Sequence, residues 1–231
     1  VQSFSRGNDH TSQCILPSDW FGTVIFTGKR PYKRSRYFAK DSWHLNFEAY
    51  WQAEYPACPA IPYLLRDAYP ERWVRFHSLP DSKRYAENEA EYRIILHRHN
   101  TVLDHLAKQD AQLLFISTEF GETTNPIRAD SPLVELDSSA RCIWTFKADP
   151  DDGENYYRHL FLSDWKWKPG IFDSILRLVA DWKIVDTMVV STDRKWIFHP
   201  YDGGADFILP NPSERDELKS CFSDWLSCHP R

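Results

Sequence analysis

The residues that could do chemistry crowd into one run near the C-terminal end, His199-Pro200-Tyr201-Asp202-Gly203-Gly204-Ala205-Asp206. Two carboxylates flank a Gly-Gly pair, with an imidazole and a phenol beside them. Carboxylates so placed could act as an acid and a base, or hold a hard cation. That would make the chain a hydrolase or transferase working through Asp202, Asp206 and His199. A plainer reading is stronger. Asp-Gly is a turn dipeptide, because Asp bonds its own backbone and Gly accepts positive φ. On that reading no residue is catalytic, and His199, Tyr201, Asp202 and Asp206 belong to a binding surface.

A second group is His77, Ser78, Lys83, Arg84 and Tyr85, between a strand pattern and a helix start. An anion could sit there, near the positive end of the helix. A polar connector is the plainer expectation. His77, Lys83, Arg84 and Tyr85 join the candidate binding residues. The run Asp149-Pro150-Asp151-Asp152-Gly153-Glu154 has the charge of a calcium loop. It lacks the ligand spacing and the closing Glu. It reads as a solvated hairpin loop that adds Asp151 and Asp152 to the binding surface, and no metal is expected. Between Lys29 and Lys40 six basic residues interleave with three aromatics. That mixture suits nucleic-acid backbones and bases. In an acidic protein a solvated loop is the stronger reading, and nucleic acid is not the expected partner.

Other chemistry is missing from the sequence. It holds no phosphate-cradling glycine loop, no dinucleotide fingerprint and no Gly-x-Ser-x-Gly elbow. It holds no His-Glu-x-x-His and no Cys-x-x-Cys. With eight glycines in 231 residues, no cofactor is expected.

The formal charge is −5, unevenly spread. Residues 1–40 hold seven Lys or Arg against two Asp, so the other 191 residues carry −10. The body is acidic. Ten tryptophans and 42% hydrophobic residues supply a sizeable core. Five scattered cysteines, an odd number, fit reduced thiols and a cytoplasmic location. No apolar run is long enough for a membrane span.

A sheet must position the candidate groups. Residues 184–191, 196–199 and 205–209 are short, β-branched or aromatic, and joined by turns at 192–195 and 201–204. They predict an antiparallel meander. Ile171, Ile175, Leu178, Val179 and Trp182 predict a helix over one of its faces. Residues 155–163 predict a strand before that helix. Upstream, residues 43–55 predict a helix stopped by Pro56, and Pro56, Pro59 and Pro62 mark a connector. Trp73–His77 alternates as a strand. Asn88 with Glu91 forms a capping box ahead of Tyr92, Ile95, Leu96, His99, Val102, Leu103 and Leu106. His99 on that stripe predicts a hydrogen-bonded core histidine. Residues 23–27, 112–117, 133–136 and 141–147 predict further strands, with a loop over 119–131. Asn211-Pro212 opens a last helix, with Leu218, Cys221, Phe222, Trp225 and Leu226 as its buried stripe. The fold class is α+β, a mixed, largely antiparallel sheet with helices packed on it. Residues 1–13 read as a loosely ordered N-terminus and 14–231 as a single domain.

The runs 73–85, 89–104 and 199–206 resemble an uncharacterised bacterial family whose members carry a His-Pro-Tyr-Asp turn before the last strand. A related group of domains of unknown function has Tyr-Asp-Asp-Arg-Gly at that turn. Here Gly203-Gly204 stand in place of Asp-Arg, which removes a charge pair. The resemblance covers residues 60–228 and implies no particular reaction. A small, acidic, tryptophan-rich α+β chain without catalytic motifs is also similar to immunity proteins of bacterial toxin systems. The expected function is a non-catalytic, protein-binding domain, with a basic toxin as partner drawn in by the acidic body.

Overall fold

Seven strands form one antiparallel sheet, and helices cover both of its faces. The computed structural model describes residues 42–128, 130–148 and 156–226. The 23–27 strand, the basic 29–40 run and the Asp151–Asp152 pair lie outside the described residues.

In chain order the elements are α1 (Ser42–Glu54), α2 (Pro62–Ala68), β1 (Trp73–His77), α3 (Glu89–Leu106), β2 (Gln112–Gly121), β3 (Arg141–Lys147), β4 (Tyr157–Lys166), α4 (Asp173–Ala180), β5 (Met188–Ser191), β6 (Trp196–Tyr201), β7 (Gly204–Ile208) and α5 (Pro212–Cys221). The strands lie in the order β1-β7-β6-β5-β2-β4-β3. Every pairing is antiparallel. The architecture is α+β, and β5-β6-β7 is the predicted meander, with its first strand starting at Met188 and not at Ile184.

Alternation along each strand splits the apolar residues between two cores. One face presents Phe76, Phe207, Phe198, Val189 and Phe115 to α3, α4 and α5, through Val102, Leu103, Ile175, Val179 and Leu218. The other presents Ile208, Ile197, Val190, Ile116 and Leu162 to α1 and α2, through Phe47, Trp51 and Leu65. A strand buried on both faces loses its polar alternation. β5 and β7 are accordingly buried at every position.

Local signals explain most boundaries. The Asn88 side chain accepts a bond from Glu91 N–H at 3.1 Å, and Asn211 accepts from Glu214 N–H at 3.0 Å. Each occupies an orphan donor of a helix start. Several expectations give way. Pro62 opens α2 instead of prolonging a connector, because Pro fits a first helical turn. β2 runs on to Gly121, since Thr118-Glu119-Phe120 finds a full ladder on β4. Residues 133–136 form turns and not a strand: Leu133 alone is buried, while Val134 and Leu136 are exposed. Trp182 falls off the helix stripe. α4 ends at Ala180, and Trp182 takes φ 55° and is 65% exposed. Of the last helix's expected stripe only Leu218 is buried: α5 ends at the exposed Cys221, and Phe222, Trp225 and Leu226 lie beyond it, half-buried.

Both rims of the sheet are irregular. On the outer side of β1, Phe76 forms one isolated bridge to Leu226. On β3 the register with β4 shifts between Cys142 and Trp144. Among the described residues no helix is long and apolar enough to cross a membrane.

The cap on α3 makes a testable contribution. Asn88→Ala should lower unfolding free energy by about 1 kcal/mol, read as a shift in urea midpoint at unchanged m-value.

Candidate functional site

The pairing of β1 with β7 brings the two candidate groups into one corner. Its register sets His77 opposite Gly204 and Arg75 opposite Asp206. The β6–β7 register sets His199 opposite Asp206 and Tyr201 opposite Gly204. Two rows cross the sheet end on the face shared with α2: Arg75, Asp206, His199, and then His77, Gly204, Tyr201. The loop after β1 folds onto the turn between β6 and β7. Ser78 N–H donates to Gly203 O at 3.1 Å.

Both carboxylates of the turn are held by guanidinium groups. Arg75 donates Nε to Asp206 Oδ1 at 2.6 Å and Nη2 to Asp206 Oδ2 at 2.8 Å. This fork-on-fork geometry is the strong form of the pair. The Arg75 guanidinium also lies 5.0 Å from the Tyr201 ring centre and 5.3 Å from that of Trp73. Its bonds to Asp206 hold its pKa above the ordinary arginine range. Arg84 donates Nε to Asp202 Oδ2 at 2.9 Å. Asp202 and Asp206 are 5% and 6% exposed, whereas Arg84 is 60% exposed. The corner therefore shows the solvent an arginine where the sequence shows an aspartate. Tyr85, 48% exposed, lies with its ring 5.3 Å from the Arg84 guanidinium.

His199 is buried, and burial pushes its imidazole pKa down against the opposing pull of Asp206. Its Nδ1 has no hydrogen-bond partner among the described residues. Burial pushes the Tyr201 phenol up. The turn itself allows no side chain at Gly204. A Cβ there would lie 2.3 Å from Phe76 O and 2.8 Å from the Tyr201 hydroxyl. At Gly203 the nearest atom would be the flexible Arg84 Cγ at 3.3 Å.

The 78–85 loop is held at both ends. His77 Nε2 and Ser82 Oγ are 3.2 Å apart, and Asp81 and Ser82 both take left-handed φ values of 55° and 59°. Lys83 Nζ reaches Glu91 at 2.6 Å and Glu87 at 3.1 Å. Beneath, Ser78 Oγ and His99 Nε2 are 3.1 Å apart and buried. His99 is thus the hydrogen-bonded core histidine that the helix stripe predicts.

Chemically the corner is a braced junction. Asp206 gives both oxygens to Arg75, His199 lacks a bond to either aspartate, and Arg84 and Tyr85 are exposed beside Asp81 and Ser82. Among the described residues no group of three or more His, Cys, Asp or Glu side chains is placed to hold a metal. Sequence reading missed Arg75. The alternation Trp73, Arg75, His77 was the available signal, because it puts Arg75 on the His77 face.

A family model described as Domain of unknown function (DUF3885) matches residues 61–230. Among the described residues the matched stretch takes in α2 and all seven strands, and leaves α1 outside. No curated protein and no solved structure matches the chain.

Two measurements probe this corner. Gly204→Ala should cost more than about 3 kcal/mol, a fall in Tm of about 10 °C, while Gly203→Ala costs much less. The second concerns His99, whose pKa burial lowers from 6.5 to about 4. The unfolded imidazole takes a proton first as pH falls, so stability is full above pH 6.5 and declines toward pH 4. Urea midpoints at pH 7 and pH 5 should show that decline, and His99→Gln should flatten it.

Proposed function

The chain belongs to the DUF3885 family, and we propose that it is a non-catalytic, cytoplasmic bacterial protein-binding domain, of the immunity type that neutralises a toxin by occupying it. One observation carries the reading. Arg84 and Tyr85 are the large exposed side chains of the 78–85 loop, braced from below by Asp202 and by the loop bonds to α3. Arg and Tyr are the residues that dominate protein interfaces, and pre-ordered ones lose little entropy on binding. Charge adds to it. Glu87 and Glu89, 76% and 61% exposed, follow Tyr85 on the surface, and residues 41–231 carry −10. A field of that sign speeds the approach of a basic partner. Lys83 and His77 extend the contact, whereas His199, Tyr201, Asp202 and Asp206 support it from beneath. The acidic 149–154 run, with Asp151 and Asp152, is counted on its charge alone.

The acid–base alternative through Asp202, Asp206 and His199 is disfavoured by the same geometry, since both carboxylates are engaged by arginines. The cytoplasmic assignment rests on the scattered thiols, of which Cys58, Cys142 and Cys221 are free.

The test is co-purification with the products of the genes on either side of this one. A stoichiometric complex is expected with one of them. Tyr85→Ala should weaken it by about 2 kcal/mol or more at unchanged Tm, and Arg84→Glu should weaken it at least as much while also lowering Tm, because it sets a second carboxylate against the buried Asp202. Failure to form a complex with any neighbour, or a complex indifferent to both substitutions, would sink the reading.

A further inference from the structure

The C-terminal end of α4 is closed by a motif that favours glycine, and the residue standing there is tryptophan. Lys183 N–H donates to Leu178 O at 2.8 Å, and Trp182 N–H donates to Val179 O at 3.0 Å. That pair of bonds stops a helix by turning one residue into the left-handed region, where a residue without Cβ fits best. Trp182 is that residue, at φ 55°. A bulky side chain in this conformation is strained. The side chain gains nothing in return from the fold. It is 65% exposed, the most open of the large exposed hydrophobics among the described residues, and it joins none of the apolar clusters. Glycine would serve the fold better at this position.

The backbone that carries the indole is firmly held. Asp181 accepts from the Tyr92 hydroxyl and lies 3.1 Å from Lys183 Nζ. The Arg177 guanidinium is 4.9 Å from the Tyr92 ring centre and donates Nη1 to Glu89 at 3.0 Å. These contacts run from the end of α4 to the first turn of α3. There Glu91 and Glu87 hold Lys83 at 2.6 and 3.1 Å, in the loop that carries Arg84 and Tyr85. Trp182 is thus linked, contact by contact, to the loop proposed above as a binding surface. Val185, three residues on, adds a second exposed apolar side chain.

An indole presented on a fixed backbone has a large apolar area to bury and little freedom to lose, the profile of an interface anchor. Charge selects what covers it. Residues 41–231 carry −10, and Glu87 and Glu89 nearby are 76% and 61% exposed. That field repels a second copy of the chain and draws a basic protein.

We propose that Trp182 is the apolar anchor of the partner-binding surface and inserts into an apolar socket of a basic protein. The proposal rests on the protein-binding reading. It extends the contact from the 78–85 loop across the first turn of α3 to the end of α4. The strained cap is then a stability cost retained for binding.

Trp182→Gly in the full chain tests it, with Tm measured on the free protein and Kd on the complex with the neighbouring-gene product that co-purifies. Tm should rise by about 2 °C while Kd weakens about tenfold or more. Trp182→Phe keeps a ring on the same backbone, so it should leave Tm unchanged and retain part of the affinity. Sedimentation of the free chain should show a monomer. A fall of several degrees in Tm for Trp182→Gly would assign the indole to the fold and overturn the proposal. A dimer that Trp182→Gly dissolves would assign it to a second copy and overturn it equally. A complex of unchanged Kd with Trp182→Gly overturns this proposal alone, whereas a wild-type chain that forms no complex removes the protein-binding reading and this anchor with it.

Discussion

The forked pair between Arg75 and Asp206 is the interaction on which the rest of the structure leans. It ties the edge strand β1 to β7, across 131 positions of chain. Once β1 is fixed there, the 78–85 loop has one place to go. It falls on the 201–204 turn, where Ser78 and Arg84 find Gly203 and Asp202. The pair is partly buried, so removing either partner would strand a charge that the other had neutralised. Aromatic rings beside the guanidinium restrict it further. What looks like a reactive cluster in the sequence is, in three dimensions, the clasp of a sheet edge.

Two-sided burial explains why the polar groups stand where they do. The inner rows of the sheet lie between α1 and α2 on one side and α3, α4 and α5 on the other. Charges are excluded from those rows unless paired. They collect, paired with one another, at one end of the face. His77, Arg75, Tyr201, Asp186 and Arg158 share that end for this reason. The same exclusion makes arginine the preferred cation, because its fork can satisfy a carboxylate with little water present.

Much of the fold was legible in the sequence. Trp73–His77, the α3 stripe with its Asn88 cap, and the β5-β6-β7 meander are all written in local periodicity. Other features were not, and three of them show why. α2 hides behind Pro56, Pro59 and Pro62, which read as a connector because breaking a helix and starting one use the same residue. The end of β2 is polar, and only the partner strand β4 shows that Thr118 and Glu119 continue the ladder. Leu133, Val134 and Leu136 have strand composition, yet only Leu133 finds a core. For the candidate site, the residues were legible and their state was not. Asp202 and Asp206 appear as free acids until β1 brings two arginines to them. Pairing across so long a stretch of chain leaves no trace in local pattern.

The irregular rims of the sheet carry a further consequence. An uncovered, regular rim is a template on which identical chains stack into fibres. One rim here is interrupted by the Phe76–Leu226 bridge and the other by the register shift between Cys142 and Trp144. The bridge occupies backbone groups on the outer side of β1, and a register shift of this kind bends and twists the strand that carries it. Both features work against the edge-to-edge pairing of identical chains.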